Sequence, residues 1–165
     1  MTEAGIFLTG ALVLGIGATG FMDGVALVQK RLLHQPVLNY AMVGRWIGHL
    51  PRGRVTHPAI GAAPAVRAEA ALGWLAHYSI GVVFAALFLG AVGVEWLAEP
   101  MAWQALLFGI CTVIAPFAIL QPGMGAGFAA SRTPKPWIAR GRSLVAHFSF
   151  GLGLYVVAYV WAVWW

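Results

Sequence analysis

Four stretches of this chain, residues 6–28, 71–94, 101–120 and 143–162, are predominantly apolar and each is twenty residues or longer. A helix needs roughly 20 residues to cross a hydrocarbon core of about 30 Å. No other feature narrows the possible folds so far, because a backbone in lipid must satisfy its own polar groups, and helices do so within one segment. Composition agrees: 61% of the residues are hydrophobic and 9% charged, whereas soluble domains carry about 25% charge. The expected fold is an all-α integral membrane protein, a single four-span domain over residues 1–165.

Basic residues set the expected orientation, since they are retained on the cytoplasmic side. Lys30, Arg31, Arg45, Arg52, Arg54 and Arg67 fall between the first two spans, and Arg132, Lys135, Arg140 and Arg142 between the last two, which accounts for all ten. Glu3, Glu95 and Glu99 fall on the other side. The loops 29–70 and 121–142 are therefore expected in the cytoplasm and both termini outside it. Trp96, Trp103, Tyr159, Trp161, Trp164 and Trp165 would form an outer aromatic belt, and Trp46, Trp74 and Trp137 an inner one. The first fifteen residues carry Glu3 and no basic residue, so no cleaved signal is expected and the first helix is retained. The net charge of +5 places basic residues beside span ends, where anionic lipid headgroups are the nearest counter-charges. The bilayer is the expected partner and nucleic acid is not.

The sequence AHYSIG at 76–81 returns as AHFSFG at 146–151, an offset of 70, and Pro64 and Pro134 share it. VALVQ (25–29) and FAILQ (117–121) give a second, weaker match that also sets Gly17 on Gly109. Two tandem helical hairpins are expected, with His77 and His147 at equivalent positions. Residues four apart share a helix face. Gly73, His77, Gly81 and Ala85 form one such row, and Ser143, His147, Gly151 and Tyr155 another. Small residues let membrane helices approach closely, so these rows should face protein. The first span offers Gly10, Gly17, Gly20 and Gly24 for the same purpose, with a GxxxG at 20–24. Asp23 beside it costs about 2.5 to 3.5 kcal/mol at a helix centre and needs a partner. Pro116 removes a backbone donor from the third span and should kink it.

The first loop is too long for a tight connection, and a short interfacial helix capped by Asn39 is expected through YAMVGRWIGHL. Val43, Trp46, Ile47 and Leu50 would give it an apolar side, with Arg45 and His49 four apart on another. PRGR and THP follow, bringing Arg52, Arg54 and His57. Glycines are dense at 121–127, QPGMGAG, but neither GxGxxG nor a Walker pattern is present. A reversal loop with lipid-facing basic residues is the expectation.

Three functional readings remain open. Asp23, His77 and His147 could form a structural network in a non-enzymatic accessory or assembly protein, whose partner is another membrane protein or a parallel second copy. The same residues with Tyr155, Arg45, His49, Arg52 and His57 could instead receive an anionic ligand or lipid headgroup from the cytoplasm. The two histidines could also ligate a b-type haem. No catalytic residue and no metal site is assigned, because Cys111 is the only cysteine and no HExxH occurs.

LNYAMVGRWIGHLPRG, HYSIGVVFA, LQPGMGAGFAASRTPKPW and HFSFGLGLY together resemble a family of small bacterial inner-membrane proteins catalogued as domain of unknown function 2938. The resemblance covers nearly the whole chain and implies a bacterial four-span protein of the inner membrane, with periplasmic termini on the orientation above. It implies no activity.

Overall fold

The computed structural model describes residues 2–164, and the regular structure among them is entirely helical. Trp165, one member of the expected outer belt, lies outside the described residues.

Helix α1 (Glu3–Leu33) begins where the Thr2 hydroxyl accepts the Gly5 N–H at 3.2 Å. It ends where His34 turns left-handed at φ 53° and returns its N–H to Gln29 O. Helix α2 (Tyr40–His49) starts as the sequence predicts, with the Asn39 side chain accepting the Ala41 N–H at 3.1 Å and so satisfying an otherwise orphaned donor. Helices α3 (Glu69–Val92) and α4 (Ala102–Cys111) follow, then a single turn α5 (Gln121–Gly123), then α6 (Pro136–Trp164). Pro116 has no N–H to return to the carbonyl one turn earlier. The chain turns at Thr112 and Val113, then runs as a π segment, Pro116–Leu120, closed by Gln121 N–H on Pro116 O. α1, α3, the run Ala102–Gly123 and α6 are each long and apolar enough to cross a membrane.

The chain folds as two compact units. One consists of the N-terminal segment to Pro36, Tyr78–Thr112, and the chain from Val145 onward. Its core is built on Leu14, Phe88, Leu89 and Leu154, all at or below 1% exposure, with Phe88 set edge-on to Trp96 at a ring separation of 4.7 Å. Small residues make the helix crossings. A Cβ on Gly15 would strike the Val82 backbone, and one on Gly109 would come within 2.5 Å of Gly151 Cα. One on Gly153 would lie 2.8 Å from Ala18 Cα. The GxxxG of the first span is not among these crossings. A Cβ on Gly20 would meet only the Tyr78 hydroxyl, at 3.9 Å, and one on Gly24 nothing within 4 Å. The motif describes spacing alone, and the crossing falls one turn and more earlier, at Gly15.

The other unit consists of Val37–His77 and Val113–Leu144. Here α2 lies backbone to backbone on the start of α3, because a Cβ on Gly44 would collide with Glu69 O and one on Gly73 with Tyr40 O. The glycine-rich stretch has structural duties. Gly123 makes room for the Trp46 ring, and a Cβ on Gly125 would collide with the carbonyls of His57 and Pro58. Gly125 and Gly127 take φ 96° and 74°, which disfavour any residue with a side chain. Backbone bonds from His57 N to Gly123 O (2.9 Å) and from Ile60 N to Met124 O (3.0 Å) tie the two long loops together.

Candidate functional site: two histidine-centred polar clusters

In the first unit the Tyr78 hydroxyl donates to Asp23 Oδ2 at 3.2 Å, linking α3 to α1. Thr112 Oγ1 lies 2.5 Å from Gly109 O and 2.7 Å from His147 Nδ1. The hydroxyl has one hydrogen, and a carbonyl only accepts, so that hydrogen goes to Gly109. Neutral His147 then carries its proton on Nδ1 and donates it to Thr112. Tyr155 is half-buried on the same helix, with its ring 6.1 Å from that of Tyr159.

In the second unit His77 Nε2 lies 2.9 Å from the Tyr40 hydroxyl, and the two rings overlap with centroids 4.2 Å apart. Arg45 forms a two-pronged bond with Glu69, Nε to Oε2 at 2.8 Å and Nη2 to Oε1 at 2.7 Å. Its Nη1 donates to the carbonyls of Gly61 and Ala63. Donating to the Glu69 carboxylate raises Arg45 above its already high ordinary range, so it stays charged. Glu69, which in the sequence looks like an isolated charge at a span end, also accepts the Val66 N–H at 3.1 Å, which fixes the approach to α3. Glu69→Ala is expected to lower Tm by several degrees, because it strands a guanidinium and frees that approach, whereas exposed Arg52→Ala leaves Tm unchanged. Equal Tm values for the two variants in thermal unfolding would refute this role for Glu69.

His49 and His57 are the buried pair, at 2% and 8% exposure, although α2 puts His49 four residues from Arg45 on what the sequence suggests is its polar side. His49 Nε2 is 3.0 Å from Pro64 O, and His57 Nδ1 is 3.3 Å from Gly123 O. Their ring centroids are 5.1 Å apart. His49 Nδ1 and His57 Nε2 are buried and have no hydrogen-bond partner. Arg52 is exposed in the turn Leu50–Arg52 between them. What the sequence does not disclose is that His57 is buried at all. The only signal is proline and glycine around it, and those residues read as a surface turn.

An all-helical chain with four membrane-length apolar helices, a capped ten-residue helix in its first long loop and polar side chains bonded between elements defines the class. The chain belongs to the family described as "Protein of unknown function (DUF2938)", whose model matches residues 12–161. No curated protein and no solved structure matches the chain.

Proposed function

We propose that this protein is a four-span protein of the bacterial inner membrane, with periplasmic termini and cytoplasmic 29–70 and 121–142 segments, serving as a non-enzymatic accessory or assembly factor for another membrane protein. One observation carries the reading: three polar pairs join the apolar helices to side chains of other elements, Tyr78 with Asp23, His147 with Thr112 and His77 with Tyr40. Such bonds contribute about 0.6 kcal/mol each between membrane helices, and their main effect is to hold register. The tandem-hairpin plan has support from a recurring detail. Thr19 donates to Gly15 O where Gly81 packs, and Thr112 donates to Gly109 O where Gly151 packs. Both packing glycines close the AHxSxG segments.

The alternative, an anionic ligand or lipid headgroup received by Arg45, His49, Arg52 and His57, loses the Arg45 guanidinium, which is occupied by Glu69 and two carbonyls, and keeps Arg52, which is exposed. The haem reading needs a ring nitrogen of His77, and its Nε2 is engaged by Tyr40.

Asp23→Ala and His77→Ala are each expected to lower stability by about 0.6 kcal/mol, up to about 1.7, whatever small molecule is added. Two fully stable variants would sink the structural network. In native-lipid discs the protein should travel with a second membrane protein at fixed stoichiometry. Isolation alone, combined with stabilisation by phosphate or anionic lipid, would hand the site to the alternative. Orientation is checked by substituted cysteines: Glu99→Cys should react with an impermeant maleimide on intact spheroplasts, and Arg54→Cys only after lysis.

A further inference from the structure

Buried polar atoms in folded proteins nearly always find a partner, and His49 and His57 break that rule together. A carbonyl only accepts, so the nitrogens facing Pro64 O and Gly123 O must carry hydrogen. When the rings are neutral, His49 Nδ1 and His57 Nε2 are therefore lone pairs, and both are buried with no donor to receive them. Two such lone pairs on rings 5.1 Å apart are a ligand set in want of a Lewis acid. Each ring is also oriented in the manner of a metal-ligating histidine, whose second nitrogen donates to a carbonyl. The backbone fixes both positions: Arg54 N donates to His49 O at 3.3 Å, and His57 N donates to Gly123 O at 2.9 Å.

The donor set selects the ion. A metal about 2 Å from each nitrogen would stand about 3 Å from each ring centre, so centres 5.1 Å apart, with the ring planes at 61°, put one ion within reach of both rings only at a bent N–metal–N angle. No group of three or more His, Cys, Asp or Glu that could hold a metal occurs among the described residues. A closed zinc site wants four protein ligands, and no carboxylate here offsets a divalent charge, with Arg52 and Arg54 close in sequence. Copper binds imidazole well, and in its monovalent d10 state it accepts two neutral donors while carrying one charge. We propose that His49 Nδ1 and His57 Nε2 bind one monovalent copper ion, in a site that neither the family nor the function proposed above implies.

The test uses full-length protein in a Cys111→Ser background, because Cys111 is an exposed thiol that would compete for copper. Copper(I) is titrated anaerobically against the chelator bicinchoninate. The proposal expects one equivalent bound, with affinity at least tenfold weaker in both His49→Asn and His57→Asn, and X-ray absorption dominated by nitrogen with imidazole scattering. Failure of the parent protein to take up copper, uptake unchanged in both variants, or sulfur ligation would overturn it. Uptake of one equivalent of zinc in preference to copper would overturn it as well. If the asparagine variants do not fold, the absorption spectrum of the parent protein decides alone: two imidazole nitrogens support the site, and any other shell removes it.

Discussion

Gly73→Val is expected to detach α2 from the start of α3 and to cost about 3 kcal/mol or more, beyond the usual overpacking range of 1–3. The atom that a side chain would meet there is a main-chain carbonyl, that of Tyr40, and Gly44 N lies 3.1 Å from the same point. A flexible side chain could swing aside. A helix backbone cannot, so the whole of α2 must shift, and with it the Arg45–Glu69 pair and the Tyr40–His77 bond. Gly61→Ala is the matched control in the same unit, since a Cβ at Gly61 meets nothing within 4 Å, and surface changes of that kind stay within about 0.5 kcal/mol. Thermal unfolding and limited proteolysis in mild detergent would compare them. Equal stability of the two variants would mean that α2 does not rest on α3 through this glycine pair.

The second large effect is expected at Gly15→Val, again about 3 kcal/mol, where a side chain would strike the Val82 main chain and the Gly81 carbonyl. The informative contrast is Gly24→Ala. Gly24 belongs to the GxxxG that the sequence advertises, but a Cβ there touches nothing within 4 Å. Alanine is about 0.8 to 1.0 kcal/mol better than glycine in a helix interior, so this variant should be neutral or slightly more stable. Denaturation in mixed detergent micelles measures both. A destabilising Gly24→Ala beside a tolerated Gly15→Val would reverse the assignment and return the crossing to the motif.

Where the sequence is informative, the physics is local or solvent-driven. Four apolar runs of membrane length became four helices because a chain this apolar has only its own carbonyls to satisfy its N–H groups. Asn39 announced the start of α2 because a cap is a contact over two residues. Pro116 announced a break because its missing N–H needs no partner from elsewhere to act. The family, too, was legible from motifs spread along the chain.

What only the tertiary structure decided is which of many equivalent small or polar residues meet. Of the glycines read on the first span, Gly17 meets the Val157 side chain while Gly20 and Gly24 meet almost nothing, and it is Gly15, outside that row, that the partner helix selects through the Val82 and Gly81 main chain. Glu69 looked solitary because its partner Arg45 lies 24 residues away. The burial of His57 was not legible in its turn-rich surroundings, because the glycine loop it bonds to is 66 residues further on. Local sequence carries no record of such pairings, since their energy arises only when distant segments close on one another. Hydropathy and caps therefore determined that this chain is a set of apolar helices, and long-range packing alone determined which of its histidines ended up buried with a lone pair unmet.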